Sequence, residues 1–304
     1  MRYAREHPHE AAQILEGITR GIDVDFQGDR SAERFGPNLR VEEADVAKVS
    51  AIIAADVAAG KKAGPFDSPP LPNFVVSPIG AVPKKEVGRI RVIPHLSYPF
   101  GGDSVNASVR DETMTLGSVA EAAGHILAFG RGCWLVKLDV EAAYKQVPVR
   151  PQDWHLLGFK WEGKYYYERV LPFGLKSSCR LWELYAAALH FFFSRHCKVP
   201  AVVHYIDDFL LVFQSEQQAR EGLAKVLMWC RYLGVPMAAD KLAGPATCLT
   251  FLGIELDTVE LRARLPAAKL LELKELAAVC VRGLDDQSST VRVQMRDGMR
   301  VSAS

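Results

Sequence analysis

The 304-residue chain carries almost no net charge: 37 Lys and Arg against 36 Asp and Glu leave +1 with the histidines neutral. Such a balance neither announces nor excludes a nucleic-acid partner, because a basic groove beside an acidic patch cancels in the sum. Cysteine is scarce, with six in all: Cys133, Cys179, Cys197, Cys230, Cys248 and Cys280. None forms a C-x-x-C pair and several stand in apolar runs. That argues against a zinc site or a disulfide framework and for free thiols in a reducing compartment. No stretch reaches the roughly 18 uncharged apolar residues of a membrane span. The first ten residues carry charge and no apolar h-region, so no secretory leader is expected. The expectation is an intracellular protein, cytoplasmic or nuclear, with no membrane partner. No internal repeat is present, and the oligomeric state is not legible.

What the chain does have is enough apolar residue, 49%, for a sizeable core. Its length suits one large domain or two to three interleaved subdomains. A helical pattern runs from Val41 to Ala59 and stops at Gly60. Lys61 to Pro72 reads as a Gly/Pro-rich spacer, after which strands are expected over Asn73–Ile93 around a polar turn at Lys84–Gly88. Ser118 and Glu121 form a capping box for a helix to Phe129, and Ser215 and Gln218 form another for a helix to Leu233. Trp134–Val149 begins as a strand, and Tyr165–Val170 is another. Leu181, Leu184, Tyr185, Ala188, Leu189 and Phe192 mark a long amphipathic helix. Ala201–Phe213 reads as a hairpin with a polar tip, Thr250–Leu256 as a strand and Ala267–Val281 as a helix. After Arg282 the periodicity is lost. This order predicts an α+β fold, an antiparallel sheet backed by helices in the manner of the ferredoxin-like unit.

The polar tip is Asp207-Asp208, two carboxylates between strongly apolar runs. Taken alone, the pair also reads as a solvated turn, since Asp is a common turn residue. A second feature changes that: Val136-Lys137-Leu138 delivers Asp139 to the end of another apolar strand. If the two strands are neighbours, hard oxygen ligands for Mg²⁺ come together. Two such ions could activate a 3′-hydroxyl and stabilise a pyrophosphate leaving group.

These residues carry a family resemblance. From about Pro70 to Leu265 the chain resembles the reverse transcriptases of retroelements, most of all the tyrosine-recombinase (DIRS-like) branch, with seven motifs in order. Ser77–Lys85 followed by Arg89–Ser97 is similar to the fingers hairpin, in which Lys84, Lys85 and Arg91 would clamp a triphosphate. Ser97–Asn106 resembles the loop that follows. Leu138–Tyr144 matches motif A: Asp139 and the carbonyl of Val140 would be metal ligands, and Tyr144 the bulky ring that rejects a ribose 2′-hydroxyl. Leu171–Ser178 matches motif B, where Gly174 would let the backbone approach the nucleotide and Phe173 pack on its base or sugar. Tyr205–Asp208 is motif C, with Asp207 and Asp208 as metal ligands. Gly234–Lys241 is similar to motif D, in which Lys241 would protonate the pyrophosphate. Thr250–Asp257 resembles the primer grip.

The resemblance implies a polymerase palm with fingers and a truncated thumb. It divides the chain into an N-terminal helical extension and Pro-rich linker (1–69), interleaved fingers and palm (70–265), and a partial thumb helix with a disordered tail (266–304). It implies an RNA-directed DNA polymerase that takes an RNA or DNA template with primer, dNTPs, and Mg²⁺ or Mn²⁺ in its place. No ribonuclease H activity is expected. The competing reading is a catalytically inactive nucleic-acid-binding remnant of a retroelement.

Overall fold

A computed structural model describes residues 2–83 and 88–285, with side chains to residue 278. In chain order, α1 (Arg2–Glu6), α2 (Pro8–Arg20), β1 (Arg34–Phe35) and α3 (Glu43–Ala58) lead to β2 (Lys62–Phe66), β3 (Val75–Val76), β4 (Ile79–Pro83) and β5 (Ile90–Pro94). Then come α4 (Val119–Phe129), β6 (Trp134–Asp139), β7 (Gly158–Trp161), β8 (Lys164–Glu168) and α5 (Ser178–Arg195). They are followed by β9 (Ala201–Tyr205), β10 (Asp208–Phe213), α6 (Glu216–Tyr232), β11 (Ala243–Ala246), β12 (Cys248–Phe251), β13 (Ile254–Asp257), β14 (Arg262–Arg264) and α7 (Ala267–Asp285).

The central sheet is antiparallel, ordered β11-β6-β10-β9. Of its two middle strands, β10 is an unbroken apolar run after Asp208 and β6 is apolar but for Lys137 before it ends at Asp139, because both faces are covered. Val136, Leu138, Phe209, Leu211 and Phe213 pack with Leu181, Trp182 and Phe193 of α5 and Val226 of α6. Leu135, Leu210, Val212 and Val203 face the other way, onto Ala122 and Ile126 of α4 and Leu249, Phe251 and Leu256 of the β12-β13-β14 sheet. This is the α+β plan expected. Both expected caps are made: Ser118 accepts from the Glu121 amide and Ser215 from the Gln218 amide.

The remaining strands form a mixed sheet, β1-β3-β7-β8-β2, and the β4-β5 hairpin. Helix α3 packs there, in a core of Val49, Ile53, Ile79, Ile90, Phe159 and Trp161. Three elements differ from the sequence reading. The Lys61–Pro72 spacer contains β2, which pairs with β8, because Lys62 is buried on carboxylates rather than solvated. Strand β7 has no counterpart in the sequence reading; it turns into β8 through Glu162 (φ 46°) and Gly163 (φ 80°). The single strand over Thr250–Leu256 is a hairpin, turned by Leu252 (φ 47°) and Gly253 (φ 78°), the left-handed pair of a two-residue hairpin loop. The segment ahead of β2 is also woven in: Ile22, Val24 and Phe26 belong to the largest core cluster. Among the described residues Cys133, Cys179, Cys197, Cys230 and Cys248 are free thiols, but Cys248 is exposed rather than buried. No described helix is long and apolar enough to cross a membrane. The tail beyond residue 285 lies outside the described residues.

Candidate active site

Strand register brings the carboxylates together. Asp208 pairs with Asp139 across β10 and β6, and with Tyr205 across β10 and β9. Ile206 and Asp207 are left as the tight turn at the sheet's end. Ile206 sits at φ 57°, a strained position for a β-branched residue. Two bonds hold it there: the Trp182 indole donates to the Ile206 carbonyl at 2.9 Å, and the Val140 amide donates to the Asp207 carbonyl at 3.0 Å. Asp139 is only 5% exposed.

These are like charges in a poorly solvated place. Burial, then the Asp139 charge, then Asp208 push the Asp207 carboxyl up to about 6. A bound cation would relieve that repulsion, so the donor set suits a hard divalent ion. Among the described residues no three His, Cys, Asp or Glu side chains converge as a finished metal cage. Mg²⁺ does not require one, since it keeps waters and takes one or two carboxylates with substrate phosphates. Lys241 is also present: its Nζ donates to both Asp139 oxygens, at 2.9 and 2.8 Å. Burial acts to lower the Lys241 pKa, but Asp139, with Asp207 and Asp208 behind it, outweighs this and raises it. Val140 is fully buried, which leaves its carbonyl no solvent-facing surface in this arrangement.

Three residues from separate motifs meet beside the turn. The Arg91 guanidinium lies 4.2 Å over the Phe173 ring, and that ring is 5.1 Å from Tyr144. The Tyr144 hydroxyl is bonded to Cys179, and burial pushes its pKa up. Gly174 sits at φ 84°, and a Cβ there would lie 2.2 Å from the Pro94 carbonyl oxygen. Glycine is therefore required here to seat this loop on β5. Asn106, in the loop whose chemistry is not legible from sequence, is the clasp. Its Nδ2 donates to the Gly174 carbonyl (2.7 Å) and to Ser97 Oγ (2.8 Å), and its Oδ1 accepts from the Lys176 amide (2.9 Å). Only its place in Ser104-Val105-Asn106, shared with the family loop, points to it. Lys84 and Lys85 lie outside the described residues.

Comparison with known proteins gives a consistent result. The family described as "Reverse transcriptase (RNA-dependent DNA polymerase)" matches residues 83–256. The Gag-Pro-Pol polyprotein of Simian retrovirus SRV-2 is 25% identical over 177 residues, 55% of this chain and 9% of that protein. The enzymatic polyprotein of Cauliflower mosaic virus (strain D/H) is 27% identical over 158 residues, 51% of this chain and 21% of that one. Protein P of Duck hepatitis B virus (strain China) is 28% identical over 123 residues, 40% of this chain and 16% of that protein. The chain thus spans a small part of these relatives' length. A foamy viral protease-reverse transcriptase solved with double-stranded DNA shares the fold, with a TM-score of 0.65 at 19% identity, covering 82% of this chain and 40% of that one. With more than half of its length inside the family match, and Asp139, Asp207 and Asp208 within that half, the chain belongs to the reverse transcriptase (RNA-dependent DNA polymerase) family.

Proposed function

We propose that this chain is an RNA-directed DNA polymerase that adds dNTPs to a primer 3′-hydroxyl on an RNA or DNA template. The observation that carries the reading is the pairing of Asp208 with Asp139, with Asp207 in the adjoining turn. Asp139, Asp207 and Asp208 would hold Mg²⁺, or Mn²⁺ in its place; the Val140 carbonyl would join them only after a local shift. When bound, the metal pair would supply Lewis-acid activation of the 3′-hydroxyl and charge stabilisation of the leaving pyrophosphate. Arg91, with Lys84 and Lys85, binds the triphosphate through charge-assisted bonds. Phe173 packs on the base or sugar. The Tyr144 ring fills the space a 2′-hydroxyl would need, selecting dNTPs over rNTPs. Lys241 leaves Asp139 to protonate the pyrophosphate, a role its reach to the carboxylates supports.

The finer placement in the DIRS-like retrotransposon branch rests on the sequence motifs, as does the division into extension, fingers-palm and partial thumb. An intracellular site of action follows from the same reading. The test is primer extension on an RNA template, wild type against Asp207→Asn. Mg²⁺-dependent dNTP incorporation by the wild type, lost in the variant, is expected. Primer–template binding without incorporation by either would replace this reading with that of an inactive nucleic-acid-binding remnant.

A further inference from the structure

Three charged side chains, Asp56, Lys62 and Glu168, are buried together beside motif A, with the partly buried Lys145 against them. Lys62 Nζ lies 2.5 Å from Glu168 and 3.1 Å from Asp56. Lys145 Nζ donates to both Asp56 oxygens, at 2.7 and 2.6 Å. Two cations and two anions make a neutral set, the condition under which buried charge is tolerated. The set joins α3, β2 and β8 to the 3₁₀ turn Ala143–Gln146, which holds Tyr144 as well as Lys145.

That turn is narrowly specified. It is entered through Ala142 at φ 49°, a left-handed position for a non-glycine residue. The Lys145 amide donates to the Ala142 carbonyl at 2.8 Å, and Gln146 Nε2 donates to the Glu141 carbonyl at 3.0 Å. In a 3₁₀ turn of three residues, neighbours project about 120° apart. Tyr144 accordingly runs to Phe173 and Cys179 while Lys145 runs to Asp56. The ion pair therefore fixes rotation of the turn about its own axis, and with it the angle of the Tyr144 ring.

We propose that Asp56 and Lys145 are positioning residues for the Tyr144 ring, and so set how strictly the site rejects ribonucleotides. The inference rests on the reading of Tyr144 as the sugar gate. Neither residue touches the nucleotide. Without Lys145, Asp56 and Glu168 still share Lys62, so each buried carboxylate keeps a cation contact, one positive charge short of neutrality, while the link to Tyr144 is cut.

The test is kcat/KM for a dNTP and its matching rNTP in primer extension with the full chain. Equilibrium titration of both nucleotides on the primer–template complex reads the same preference where turnover is slow. Tyr144→Ala should relax discrimination most. Lys145→Gln should relax it by about tenfold, short of the roughly 10²-fold that a full ångström of misplacement can cost, because Phe173 and Cys179 still hold the ring. Lys145→Arg should restore it. Asp56→Asn should match Lys145→Gln, and the double variant should relax it no further. A folded Lys145→Gln with wild-type discrimination overturns the inference while leaving the gate intact. If Lys145→Gln does not fold, wild-type discrimination in Asp56→Asn overturns it equally. Unchanged discrimination in Tyr144→Ala removes the gate itself, and this inference with it.

Discussion

Buried charge is handled in opposite ways at two places in this molecule. At the end of the central sheet Asp139, Asp207 and Asp208 crowd together, with Lys241 bonded to Asp139, and the Asp207 carboxyl is driven up to about 6. Beside the mixed sheet the charges are as deeply buried but matched. Lys62 and Glu168 are both 4% exposed in their side chains and paired with each other. Asp153, with a fully buried side chain, is bonded by Arg30, Arg150 and the Val24 amide. Matched charge fixes architecture, tying the N-terminal segment to the rest. Crowded like charge costs stability, and is kept where a cation bound with substrate would relieve the repulsion.

The largest expected effect separates these two uses. Asp207→Asn should lower dNTP incorporation by about 10³-fold or more, since several kcal/mol of charge stabilisation is at stake. Yet it should not weaken the fold. A carboxyl whose folded pKa is raised from 3.8 to about 6 binds its proton more tightly when folded. That contribution favours the fold below about pH 4 and is lost as pH rises through about 6. The asparagine variant escapes the loss. Without metal at pH 8 it should melt higher than wild type, by on the order of 1–2 kcal/mol once solvent screening is allowed for, and the two should converge near pH 4. A lower melting temperature for the variant at pH 8 would contradict this account.

Asp153→Ala should do the reverse. It leaves Arg30 and Arg150 without their buried carboxylate and the Val24 amide without an acceptor. Breaking a buried pair of this kind costs about 3–5 kcal/mol, or roughly 10 °C in melting temperature. Incorporation per folded molecule should stay near wild type, measured below the variant's transition. A loss of activity larger than the loss of folded protein would tie the N-terminal segment to the chemistry directly.

The same contrast explains which parts can be read from sequence. Asp139 and Asp207-Asp208 are legible because they interrupt apolar runs, and a two-residue repeat dictates where strand ends fall. Asp56, Lys62, Asp153 and Glu168 look like ordinary surface residues. Their partners are far away in the chain, with Lys62 and Glu168 separated by 106 positions and Val24 and Asp153 by 129. No local pattern encodes such pairs. Lys61–Pro72 passes for a spacer for that reason, since its Gly and Pro residues mimic one and the buried Lys62 shows only in three dimensions. Gly174 stands out in the sequence, but its packing constraint does not, because the Pro94 carbonyl that excludes a side chain belongs to a different motif.

The smallest expected effect concerns Lys241. Lys241 is half exposed, so its pair with Asp139 adds little to stability, within about 1 kcal/mol. Its ammonium nevertheless occupies both Asp139 oxygens, where a metal ligand's lone pairs are needed. Lysine and metal should compete for Asp139. In Lys241→Gln the Mg²⁺ concentration for half-maximal incorporation should fall a few-fold, within the roughly fivefold that 1 kcal/mol allows. The maximal rate should fall as well if Lys241 protonates the pyrophosphate, and the gap between wild type and variant should narrow at alkaline pH, where the wild-type lysine itself loses its proton. Titrating Mg²⁺ separates the two roles. A lower rate with unchanged Mg²⁺ dependence would leave proton donation alone, and a lower Mg²⁺ requirement at unchanged rate would make Lys241 a counter-ion that holds the carboxylates together until the metal arrives.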